Sequence, residues 1–311
     1  MKTHTMIKAL GIAALAELGI SGYFYQRTML RSRAKVERTM DMAGTDWSQY
    51  ASFLAERKEK FLARPREDVW IKSSDGLKLH GTFFPNRGSR RVVLCFHGYT
   101  SEGMKDYIAL SDYYFKQGFA LLTVDARAHG QSEGSFVGFG CLDRKDAMGW
   151  LNWLCGTLGT GAEIILHGTS MGAATVLMAS GLELPRQVKG IVADCGFTSP
   201  KEVFTHVLHS MYHIPAFPII PIADMMNRTF AGYGMDECNA AREVRKSKTP
   251  TLFIHGTADT FVPYRMCEEL YQNCSAEKYK FIVEGAAHAE SYYKDTGGYE
   301  AALDAFFNQV L

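Results

Sequence analysis

The chain has almost no net charge: 34 lysines and arginines against 33 aspartates and glutamates leave +1 over 311 residues. No basic face interleaved with aromatics breaks that balance, which excludes a nucleic-acid footprint. No Cys-x-x-Cys pair occurs among the seven cysteines, and several sit inside apolar runs such as VVLCFHG and WLNWLCG. Odd in number and scattered through a large chain, they read as reduced and mostly buried thiols, not as a disulfide framework. Internal repeats and low-complexity tracts are missing too, so repeat architectures are out. What is there is ordinary globular composition, 47% hydrophobic and 22% charged, enough for one large α/β domain with additions.

The N-terminus differs in kind. IKALGIAALAELGISGYFYQ is apolar enough, over about 20 residues, to cross a bilayer core. Lys8 and Glu17 interrupt it, and its alternatives are a cleaved signal peptide or an amphipathic helix packed on the body. Arg27, Arg31, Arg33, Lys35 and Arg38 follow it, against only Lys2 and Lys8 before it. The expectation is a membrane anchor over residues 1–28, membrane association through residues 7–25, and a body on the cytoplasmic face. Residues 29–66 then read as a charged connecting helix that carries Trp47, Tyr50, Phe53, Leu54, Phe61 and Leu62 and stops at Pro65.

From residue 67 the pattern becomes that of one α/β domain running to residue 311. Two alternating runs around SSDG form a hairpin, and strands then alternate with helices. RRVVLCFHG, FALLTVDAR, AEIILHG, VKGIVADCG, PTLFIHG and KYKFIVEG are apolar in the way of strands buried on both faces. Such alternation gives a mostly parallel sheet with helices on both sides. One interval breaks the rhythm. About residues 197–249 replace a single helix with a long apolar stretch holding Pro215, Pro218 and Pro221. An excursion of that size reads as a lid over the strand ends, where open α/β sheets bind ligands.

The residues that carry chemistry lie at those strand ends. In LHGTSMGAATV, Ser170 stands between Gly168 and Gly172, after a strand and before a helix. It is either a helix N-cap or a nucleophile lifted on a sharp turn. A serine hydroxyl keeps its proton at neutral pH, so a nucleophile needs a base, and the base needs a partner that fixes its tautomer. Asp259 follows the strand TLFIHG, and His288 follows the last strand. The order Ser170, Asp259, His288 is the one this strand–turn–helix chemistry uses, and His288 alone of the ten histidines follows Asp259. Asp194, at the end of the strand after the serine helix, is the rival acid. The backbone N–H groups of Met171 and Tyr99 are placed to hold an oxyanion. His97, His167 and His255 read as structural, and His206, His209 and His213 lack the carboxylates that would complete a metal face. Neither a metal nor another cofactor is expected. Phe261, just beyond Asp259, is expected to wall the substrate site.

Taken in order, FHGYTSEG, DARAHGQSEG, HGTSMGAATVL, IVADCGFTS, LFIHGTADTFVP and EGAAHAES resemble the successive motifs of the α/β-hydrolase fold superfamily. The likeness covers roughly residues 67–311 and extends to bacterial, often membrane-anchored serine hydrolases of the esterase and S9-like peptidase groups. It implies an α/β-hydrolase fold with an eight-stranded core and a helical lid insertion. It also implies a Ser170–His288–Asp259 triad and an oxyanion hole from the Tyr99 and Met171 amides. The expected activity is hydrolysis of small-molecule carboxylic esters or other acyl substrates. Peptidase, thioesterase and acyltransferase chemistry use the same parts, and a tethered binding protein without activity is the alternative from another class. Ala128 departs from the pattern, standing where the superfamily commonly has glycine.

Overall fold

The computed structural model describes residues 17–31 and 45–311. Eight strands form one sheet: β1 (Glu67–Lys72), β2 (Lys78–Phe84), β3 (Arg91–Phe96), β4 (Ala120–Val124), β5 (Glu163–Thr169), β6 (Val188–Asp194), β7 (Thr251–Gly256) and β8 (Lys278–Val283). Their spatial order is β1-β2-β4-β3-β5-β6-β7-β8. β2 runs antiparallel to both β1 and β4, and the other neighbours are parallel. The central strands are apolar throughout because both faces are covered; every residue of β4 and β7 is buried.

The helices are α1 (residues 17–29), α2 (Ala51–Leu62), α3 (Ile108–Lys116), α4 (Asp143–Leu158), α5 (Met171–Ala179), α6 (Pro200–Ser210), α7 (Ile219–Phe230), α8 (Ala240–Glu243), α9 (Tyr264–Asn273), α10 (Ser291–Lys294) and α11 (Thr296–Val310). Two apolar cores lie on the two faces of the sheet. One gathers α4 and α5 with Trp150, Leu166, Val176 and Met266, and also takes in Tyr25 and Met29 of α1. The other packs α3 and α11 through Tyr114 and Phe306, and includes Phe61 of α2, stacked 4.4 Å from Phe84. The long excursion between β6 and β7 holds α6, α7 and α8.

The described part of the N-terminal segment does not support the reading of an anchor. Among the described residues no helix is long and apolar enough to cross a membrane. Residues 7–16 of the expected span lie outside the described residues. The remainder forms α1, whose Ser21, Tyr25 and Met29 are buried against the domain. Phe24 meets Phe204 of α6 edge-on at 5.6 Å, and Tyr25 lies 6.4 Å from Phe230 of α7. Beyond α1, Leu30 bridges to Phe136, and the Arg31 guanidinium donates to the carbonyls of Ser132 and Gly130. One face of α1 thus packs on the protein, while its Leu18, Ile20 and Tyr23 are exposed. Of the expected connector, residues 32–44 lie outside the described residues, and α2 packs on the body through Phe61, which is buried.

Candidate active site

The site is built where β5 turns into α5. Ser170 has φ 55° and ψ −111°, and its hydroxyl makes no N-cap bond to the helix it precedes. A non-glycine residue in that region is strained, and it persists only where its surroundings over-determine it. Here the Ser170 N–H donates to the Asp194 carbonyl at 2.8 Å, and its carbonyl accepts from Ala174 N at 3.0 Å. The turn directs the hydroxyl to His288 Nε2, 2.8 Å away.

His288 Nδ1 lies 2.7 Å from Asp259 Oδ2. A carboxylate only accepts, so Nδ1 carries the proton and Nε2 is left bare to accept from Ser170. Asp259 is itself fixed: Oδ1 accepts from the backbone N–H groups of Phe261 at 3.0 Å and Val262 at 2.8 Å. Burial favours its neutral form, but His288 and His255 with their hydrogen bonds overcome this and hold its carboxyl far below the usual range. His255 Nε2 lies 3.4 Å from the same Oδ2 and donates to the Val262 carbonyl at 2.8 Å. His255 thus stands on Asp259 as a second imidazole, a contact its place beside a glycine did not announce.

The loop after β3 closes the other side. A methyl group on Gly98 would lie 3.5 Å from Ser170 Cβ, so the 98–99 backbone passes directly by the serine. The Gly98 N–H donates to Asp106 Oδ2 at 2.7 Å. Tyr99 turns its ring away, against Phe139 at 5.0 Å, and its hydroxyl reaches the carbonyls of Arg27 and Thr28 in α1. Met171 opens α5 immediately after the serine and is buried. Phe261 lies 5.1 Å from the His288 ring, between the Asp259 loop and the base.

The remaining candidates are engaged elsewhere. Asp194 is buried, its Oδ2 accepts from Tyr299 at 3.1 Å, and burial pushes its carboxyl up to about 6. His97 holds the next loop, donating to the Gly98 carbonyl at 2.7 Å and accepting from Ala126 N at 3.0 Å. His206 donates to the Thr260 carbonyl at 2.9 Å, and His209 accepts from Ala216 N at 3.4 Å. Cys195 Sγ, an Asp259 oxygen and a His288 nitrogen lie within 4.8 Å of one another, but the carboxylate and imidazole are already bonded together. All seven cysteines are free thiols, six of them buried. Ala128 takes a left-handed φ of 61° while buried, so alanine bears a turn that glycine would make without strain.

Strand order, nucleophile turn and the loops at the strand ends define an α/β-hydrolase fold. Comparison with known proteins agrees. A family model described as serine aminopeptidase, S33, matches residues 87–221, and one described as serine hydrolase (FSH1) matches residues 165–289. The two models, each matching less than half of the chain, and the fold together support a serine hydrolase of the α/β-hydrolase superfamily. It is 26% identical over 307 residues to protein YqkD of Bacillus subtilis, covering 98% of this chain and 97% of that one. Protein YfhR of Escherichia coli K12 is 24% identical over 233 residues, covering 73% and 74%. Among solved structures, the Pyrococcus furiosus esterase Pf2001 superimposes with a TM-score of 0.67 at 22% identity, over 81% of this chain and 93% of its own. The Exiguobacterium antarcticum esterase EaEST gives 0.57 at 14% identity, over 77% and 99%.

Proposed function

We propose that Ser170, His288 and Asp259 act as nucleophile, base and acid in the cleavage of carboxylic esters. The observation that carries this reading is the unbroken chain of two short hydrogen bonds, 2.8 and 2.7 Å, starting at a hydroxyl on a strained turn. His288 Nε2 takes the Ser170 proton as the oxygen attacks the ester carbonyl, and Asp259 stabilises the resulting imidazolium. The Tyr99 and Met171 amides hold the oxyanion of the tetrahedral intermediate. His288 then returns the proton to the departing alkoxide, leaving an acyl-Ser170. A water deprotonated by His288 attacks that acyl group, and the acid is released as Ser170 regains its proton.

The esterase titles of Pf2001 and EaEST support an ester substrate. Phe261 lies against the His288 ring, Phe139 and Phe204 pack on one another beside Tyr99, and α6 reaches the acid loop through His206. An aromatic ring beside the base suits an apolar acyl group, with α6 and α7 as the lid. The serine aminopeptidase description favours a second reading, in which the same groups cleave an amide. Hydrolysis of p-nitrophenyl esters from acetate to palmitate, wild type beside Ser170→Ala, tests the proposal. Turnover that vanishes with Ser170 supports an esterase. Fluorophosphonate labelling without ester turnover moves the substrate to amides or thioesters. Absence of both rejects the mechanism.

A further inference from the structure

The loop that carries the catalytic base is bonded through its backbone to the end of β8 and to the Asp259 loop only as far as Ala286. The Ala286 N–H donates to the Val283 carbonyl at 3.3 Å, and its carbonyl accepts from Ala258 N at 3.0 Å. Ala289, directly after His288, has a left-handed φ of 58°, a conformation an alanine keeps only when held from outside. Besides the Cys195 thiol beside Ala289, two side chains from far upstream in the chain hold this loop. Thr45, itself buried, donates its hydroxyl to the His288 carbonyl at 3.1 Å. Five residues on, the Tyr50 hydroxyl donates to Glu290 Oε1 at 2.7 Å. Glu290 is buried too, and its Oε2 accepts the Ala287 N–H at 2.8 Å. The residues on both sides of His288 are therefore tied to residues 45–50. Asp46 stiffens that short segment by accepting from Ser48 N at 3.0 Å, which starts the single 3-10 turn Trp47–Tyr50. Trp47 and Tyr50 also pack on Tyr293 of α10, at 5.0 and 5.1 Å, so the chain leaving the base loop is held by the same segment.

We propose that residues 45–50 form a clasp that positions the catalytic base, with Thr45 and Tyr50 as positioning residues acting through the His288 carbonyl and Glu290. The inference rests on the reading of His288 as the base. Neither side chain touches the reacting atoms. A carbonyl that loses the Thr45 hydroxyl, in a turn already strained, lets the imidazole drift from a 2.8 Å contact with Ser170. Drift of that kind lowers turnover more than binding, because the clasp acts on the backbone beside the base and leaves the Ser170 turn in place.

The test compares Thr45→Val, Tyr50→Phe, their double variant and Thr45→Ser with the wild type on p-nitrophenyl butyrate. Turnover is normalised to sites titrated by a fluorophosphonate, and Tm and hydrogen exchange of residues 284–292 are measured in parallel. The double variant is expected to lose about tenfold or more in kcat per titrated site, with KM within about twofold. This lies below the ~10²-fold cost of an ångström's misplacement. Exchange in residues 284–292 rises, and Thr45→Ser, which keeps the donor, restores both. Unchanged kcat per site together with unchanged exchange overturns the clasp, whatever happens to Tm. If Ser170→Ala hydrolyses the ester as fast as wild type, the triad mechanism fails instead, and hydrogen exchange still decides whether the loop is clasped.

Discussion

A methyl group on Gly168 would lie 2.2 Å from the carbonyl carbon and oxygen of Gly172, and one on Gly172 would lie 2.0 Å from the Phe96 carbonyl oxygen. These neighbours are backbone, which cannot swing aside as a long side chain can. Strand β5, helix α5 and strand β3 converge around the serine with no space for a Cβ at either glycine. Gly172→Ala is therefore expected to open the turn that holds Ser170 at φ 55°. Ester turnover should fall by about 10²-fold or more, as for other ångström-scale misplacements, and fluorophosphonate labelling should slow with it. Folded Gly172→Ala protein with wild-type labelling would refute this account of the turn.

Those glycines are why the nucleophile was legible in the sequence. A backbone that must approach another backbone can be met only by glycine, and the apolar runs of β3 to β7 follow as directly from burial on both faces. The N-terminal helix was legible only in part. Burial against α6 and α7 and burial in lipid select the same apolar residues, so Tyr25 and Met29 could not tell which partner they had. Thr45 and His255 were invisible for another reason. Each acts across a long sequence separation or against a carboxylate already assigned, and a lone threonine before WSQY carries no local pattern. Glu290 left a faint signal, a carboxylate two residues past the base with a backbone N–H to accept from.

The choice between two buried carboxylates is testable directly. Asp259 bonds His288, whereas Asp194 accepts from Tyr299, so Asp259→Asn is expected to cost about 10⁴-fold in kcat with the fold retained. Asp194→Asn should stay within about tenfold of wild type, since the amide still accepts from Tyr299 and leaves the His288 tautomer alone. Steady-state rates of both variants on one ester decide it. A larger loss in Asp194→Asn would move the acid to β6.

Arg127 is enclosed by acids. Its Nε and Nη2 fork onto Asp146 at 2.7 and 2.8 Å, and Nη1 reaches Asp75 at 2.8 Å. Arg127 and Asp146 are both buried; burial pushes the Asp146 carboxyl up to about 6 despite the guanidinium beside it. Arg127→Met leaves that carboxylate unpaired and should cost about 3–5 kcal/mol of unfolding free energy. The double variant Arg127→Met/Asp146→Leu, which removes both charges, is expected to recover most of the loss. Urea denaturation of the three proteins measures this. A double variant no more stable than Arg127→Met would show that the ion pair is not what the site requires.

Histidine burial gives the protein an acid sensitivity that one substitution isolates. His167 is enclosed at the end of β5, taking the Tyr114 hydroxyl at 2.6 Å, and burial pushes its ring down to about 3. In the unfolded chain the same ring titrates near ~6.5. Between these values the unfolded state binds the extra proton, so this residue's contribution to stability declines as pH falls from ~6.5 towards 3. Asp146 and Asp194, held up to about 6 by burial, act with the opposite sign as pH falls from 6 to ~4, because there the folded state binds the extra protons. The wild-type curve therefore shows only a difference. His167→Gln keeps an acceptor for Tyr114 but has no titrating group. Relative to wild type it should gain about 2 kcal/mol of unfolding free energy between pH 7.5 and pH 5, at roughly 1.4 kcal/mol per pH unit below 6.5. Urea midpoints of the two proteins across that range measure the gain. Parallel stability curves would mean that His167 binds protons alike in the folded and unfolded chain, so that burial does not lower its ring.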